Sequence, residues 1–146
     1  MATADLAEPL RAAIVGASSI TALLPTYVGS PTVFTRRPVP HDAPYPLIVI
    51  SSDITVFNED GVNDFRPINT RNILVFASND TAIHYRVVDT LANLVRDLFH
   101  RNRNAITVSG WSIIDIQASG PEPIPGDDQI EGRLIMLAIR LAQLRS

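Results

Sequence analysis

Cysteine is absent from this 146-residue chain, so neither a disulfide framework nor a thiolate metal site can form. Lysine is absent as well, and all 12 basic residues are arginine. Arginine's planar fork suits interfaces with carboxylates and backbone carbonyls, although a G+C-rich coding sequence produces the same bias. Aromatic residues make up only 6%, with a single tryptophan, Trp111, which leaves a core built mainly from Ile, Leu and Val. No apolar run approaches the roughly 20 residues needed to span a bilayer as a helix. The opening Met-Ala-Thr-Ala-Asp lacks the basic region and hydrophobic stretch of an export signal, so a soluble chain is expected. The formal net charge is −3 and no basic stripe offsets it, a poor balance for gripping phosphates.

Residue patterns that carry chemistry are missing too. The three histidines, His41, His84 and His100, stand in separate settings and form no ligand pair at helical spacing. His100 reads as a favourable cation at a helix C-terminus, and the nearby Arg96, Arg101 and Arg103 complement the same dipole. The acidic segment 58–64 lacks the ligand spacing of a calcium loop and reads as a hairpin turn on Asp60-Gly61. Ser109-Gly-Trp-Ser112 is not a nucleophile elbow, and the 7 glycines are too scattered to build a phosphate-cradling loop. No enzyme activity, metal or cofactor is expected.

What the chain does contain is a 46% hydrophobic composition and a mean hydropathy of +0.15, enough for one core and a single domain over residues 1–146. Leu6, Leu10, Ala13, Ile14 and Ala17 recur at helical spacing and predict a helix over 6–17, with Pro9 accommodated near its first turn. A second short helical segment over 20–24 follows a Ser18 or Ser19 cap and ends at Pro25. Pro31, Pro38, Pro40, Pro44 and Pro46 then exclude helix and restrict strand to an edge piece over 33–36. Strands are predicted over 47–57 and 71–78, joined as a hairpin with a long arm. The strongest helix spans 81–100, with Ile83, Val87, Leu91, Leu94, Val95 and Leu98 on one stripe. Residues 105–118 read as one strand bent at Gly110, and the Pro- and Gly-rich run 119–128 as a loop.

The last stretch, 130–144, reads as a long strand that is apolar on both faces from about Leu134. Leu134, Met136 and Ala138 fall on one face; Ile135, Leu137, Ile139 and Leu141 fall on the other. The order of elements predicts an α+β fold: a mostly antiparallel or mixed sheet with one long and one or two shorter helices packed on one face. Helices cover one face only, so the other is expected to be buried by a second subunit. Alternation does not decide which face that is. The set Ile135, Leu137, Ile139 and Leu141 is one option for the assembly contact. The long arm supplies further candidates in Phe57, Asp60, Phe65 and Arg66, and the proline-rich loop supplies Arg36 and Arg37.

Several segments in order carry a resemblance. They are Ile20-Thr-Ala-Leu-Leu24 after an N-terminal helix, Val33-Phe34, Arg37-Pro38, Ala43-Pro-Tyr-Pro-Leu-Ile-Val49, the long helix, and the final paired strands. Together they resemble the tail terminator (tail completion) proteins of long, non-contractile-tailed phages and of related gene transfer agents. The resemblance implies a virion protein, assembled in the host cytoplasm, that forms a homo-oligomeric, hexameric ring on the head-proximal end of the tail tube. Such a ring stops tube polymerisation, contacts the major tail tube protein, presents a docking surface for the head-tail connector, and lets DNA pass without specific binding. It implies no catalytic residues, cofactor or membrane. The alternatives are another neck or tail-tube component, or a small ligand-binding α+β domain whose pocket uses polar strand residues such as Asp53, Asp115 and Gln117.

Overall fold

The computed structural model describes residues 6–35, 39–51, 55–58, 67–78, 84–125 and 130–143. The chain opens with α1 (Ala7–Gly16), which buries Leu10 and Ile14 and carries Pro9 in its first turn, where a missing N–H breaks no helical hydrogen bond. The backbone becomes extended at Ala17, and α2 (Ser18–Thr21) adds one short turn anchored by the buried Ile20. A small hairpin follows, β1 (Thr26–Tyr27) against β2 (Ser30–Pro31), a feature the proline-rich composition had hidden. Then come β3 (Val33–Phe34), β4 (Leu47–Ile50), β5 (Thr55–Asn58) and β6 (Pro67–Ser78). The helix α3 (His84–Phe99) precedes the two long strands β7 (Trp111–Pro123) and β8 (Ile130–Gln143).

Six strands form the main sheet in the order β3-β4-β6-β8-β7, with β5 also paired to β6. Every pairing in it is antiparallel except β3 with β4. The fold is α+β. The three helices of the described residues share the core on one face, where α1 and α2 pack beside α3 above Val33, Ile48, Ile50, Ile73 and Val75. Val88, Leu91, Ala92, Val95 and Phe99 of α3 are fully buried against β6, β7 and β8. The helix is thus rotated slightly from the expected stripe, and Val87, Leu94 and Leu98 pack at its margins. Each large side chain buried this way contributes roughly 1.5–3 kcal/mol before conformational entropy is subtracted. An ion pair pins the same layers: Arg133 Nε on β8 meets Asp89 Oδ1 on α3 at 2.8 Å, and its Nη1 meets Glu131 at 3.2 Å.

The structure corrects several expected boundaries: α2 is Ser18–Thr21 and not 20–24, the run 47–57 forms two strands, and β6 begins at Pro67, four residues before expected. Residues 105–109 are not strand; they turn into β7 through Gly110, whose φ is +82°. The segment expected as a loop from residue 119 instead continues β7 to Pro123. Two features allow it. The strand lies at the sheet edge, where prolines lacking an N–H are tolerated, and a register shift between Ser119 and Glu122 absorbs the irregular backbone. Gly120 in that shift has φ +99°, and a Cβ there would lie 2.6 Å from the Leu134 carbonyl oxygen. Only glycine fits both the angle and the approach.

Candidate assembly surface

The sheet's two faces follow from the β6–β8 register, which pairs Ile73 with Ile135, Arg71 with Leu137 and Asn69 with Ile139. These side chains all point toward the helix layer. Ile135, Leu137, Ile139 and Leu141 are 0% exposed within the subunit's own core. The option that placed this set at the assembly contact is therefore corrected: α3 already covers it. The opposite face of β8 presents Leu134, Met136, Ala138 and Arg140.

Part of that second face is covered by the chain itself. Ala43, Leu47 and Val49 form a separate buried cluster, packed by Tyr27, Phe34, Val39, Leu74 and Phe76. The small hairpin and the proline-rich segment thus lie over the β3-β4-β6 end of the sheet. Tyr27 and Phe34 meet edge to face at 6.0 Å, and the Tyr27 hydroxyl donates to Asp42 Oδ1 at 2.8 Å. That bond to a carboxylate, with smaller contributions from desolvation and the Asp42 charge, raises the Tyr27 phenol above its ordinary pKa. Thr32, fully buried, donates from its hydroxyl to the Pro46 carbonyl at 2.8 Å and ties the segment to β4.

Beyond this cover the face changes character. Met136 is 46% exposed, and Leu134 and Ala138 are half-buried. The register sets Thr70 and Asn72 of β6 on one side of this row and Asp115, Gln117 and Ser119 of β7 on the other. Gln117 Nε2 donates to Asp115 Oδ2 at 3.2 Å. Asp115 and Gln117, two of the three polar residues considered for a ligand pocket, therefore lie on the outer sheet face and do not converge in a cleft. The surface is a narrow apolar stripe with polar margins, a composition suited to contact with another protein.

Parts of the β7 and β3 edges are bonded by neighbouring segments. On β7, the backbone N–H of Ala118 donates to His100 Nδ1 at 3.1 Å, and the Ile116 carbonyl accepts from the Arg101 N–H at 2.8 Å. On β3, Arg11 Nε donates to the Val33 carbonyl at 3.1 Å.

Of the remaining candidates, Arg36, Arg37, Asp60, Phe65 and Arg66, together with Asp53, lie outside the described residues. Phe57 sits in β5 opposite Ile68. Among the described residues no cluster of His, Asp and Glu is arranged to hold a metal ion. No helix among them is long and apolar enough to cross a membrane.

No protein-family model matches the chain, and no curated protein matches its sequence. A solved structure does match. It is a chain from the virion of a native gene transfer agent particle, with a TM-score of 0.75 over 94% of this chain and 94% of that one. Sequence identity is 12%, so the likeness establishes a shared fold.

Proposed function

We propose that this chain is a non-enzymatic structural subunit of a phage-like particle, and that it closes the head-proximal end of a tail tube as a homo-oligomeric ring. The observation that carries the virion reading is the fold likeness to a gene transfer agent virion chain across 94% of both chains. The terminator role rests on the sequence resemblance. In this reading the ring halts addition of tube protein, offers its far side to a head-tail connector, and leaves a channel for DNA. The exposed Met136 row favours a subunit that associates through a sheet face.

The test is genetic and structural. Particles made without this chain should carry tails of uncontrolled length, and purified chain added back should bind tube ends in electron micrographs. Loss of tubes altogether would instead mark a tube component. A chain that stays monomeric and leaves tail length unchanged would overturn the proposal.

A further inference from the structure

Charge is unevenly placed along β7 and the turns that flank it. Residues 98–114 contain no Asp or Glu, and Arg101 and Arg103 stand exposed in the turn after α3. That turn is held in one shape: the Arg101 N–H donates to the Ile116 carbonyl at 2.8 Å, and Asn102 Nδ2 donates to the Leu98 carbonyl at 3.0 Å. Arg101 adopts φ +56°, the left-handed position that usually takes glycine or asparagine after a helix. Beside it a groove of about 330 Å³ runs along Arg103, Asn104, Thr107, Trp111 and Ser112. Its polar side chains can all donate hydrogen bonds, so the chemistry it suits is a carboxylate or another oxyanion. The nearest carboxylates in sequence are engaged elsewhere, Asp97 by Arg96 at 3.0 Å and Asp115 by Gln117 at 3.2 Å. Arg103 has no hydrogen-bond or ion-pair partner for its side chain among the described residues.

The other end of β7 has the opposite sign. Residues 122–131 hold Glu122, Asp127, Asp128 and Glu131 and no cation. Glu131 pairs with Arg133, which also meets Asp89 on the α3 side of the sheet. Glu122 is exposed, shares the outer face with its register partner Leu134, and has no side-chain partner among the described residues. Pro121 and Pro123 restrict the backbone that presents it. Its own groove is out of reach. Positions 112 and 122 lie on one strand, about 30 Å apart at roughly 3.3 Å per residue, farther than a Glu and an Arg side chain can span together.

We infer that the Arg103 groove of one copy receives the Glu122 carboxylate of a neighbouring copy in a head-to-tail contact. The two surfaces differ, which is the heterologous geometry that a closed ring requires. The inference deepens the self-assembly proposed above and rests on it. A protein carboxylate fits the groove better than nucleic acid, because a chain of net charge −3 that offers Arg101 and Arg103 at this turn neutralises few phosphates.

Arg103→Glu and Glu122→Arg should each weaken self-association by about tenfold or more, measured by sedimentation velocity over a concentration series. Both side chains are exposed, so melting temperatures should stay near that of the parent. The variant with both reversals should recover association to within about threefold of the parent, since the pair is restored with its charges exchanged. Arg103→Gln and Glu122→Gln, whose losses should not add, take their place if a reversal lowers the melting temperature. If the parent chain assembles and either single variant assembles equally well, or the double reversal recovers nothing, this inference falls while the ring proposal stands. Binding of a labelled DNA oligonucleotide that Arg103→Glu abolishes, with self-association unchanged, would assign the groove to nucleic acid and overturn the inference in the same way. If the parent chain remains monomeric, both fall.

Discussion

Single residues set local geometry that composition does not reveal. Gly120 is the clearest case: Gly120→Ala combines a positive φ with a Cβ that would press on the Leu134 carbonyl. The expected cost is about 2–4 kcal/mol, read as a lower urea midpoint, because the obstacle is backbone and cannot rotate away. Tyr27 offers a second test. Its pKa is raised chiefly by the hydrogen bond to Asp42, so the stabilisation is fully present below the ordinary tyrosine value and is lost as pH climbs through the raised one. Asp42→Ala should bring the Tyr27 phenol back toward that ordinary value in an ultraviolet absorbance titration, with Tyr27→Phe identifying its share of the signal. Neither residue was distinguished by sequence pattern. A glycine beside a proline reads as loop, and a tyrosine fifteen positions from its aspartate partner shows no local signal.

At the scale of elements, periodicity was informative wherever one face met one environment. The α1 spacing of Leu10 and Ile14 matches their burial, and α3 follows its apolar stripe to within a small rotation. β8 is different. Both of its faces are apolar, because one lies under α3 and the other carries the half-buried Leu134 and Ala138, so alternation identified a strand without orienting it. Prolines misled in the opposite sense at the end of β7, since their usual exclusion from strands weakens at a sheet edge. The orientation of β8 makes a definite prediction. Leu137→Asp places a carboxylate in the centre of the helix layer and should prevent folding or lower the melting temperature steeply, as an unpaired buried charge costs several kcal/mol. Circular dichroism melting checks it; a Leu137→Asp variant with native stability would mean the helix layer does not cover this face.

For the whole molecule, the decisive balance is between surface the chain seals itself and surface it leaves available. Among the described residues three helices close one sheet face, and the small hairpin and proline-rich segment close one end of the other. What remains is the Met136 row, bordered by polar strands. The residue next to Leu137 therefore tests a different property. Met136→Asp adds a charge where solvent already reaches, so folding should be nearly unaffected, within about 0.5 kcal/mol. If this row meets another subunit, the same charge is desolvated on association, and light scattering should show the oligomer population collapse at concentrations where the parent chain assembles. Raising salt should not restore it, because the penalty is desolvation and not long-range repulsion. Unchanged assembly by a fully folded Met136→Asp would remove this face from the interface.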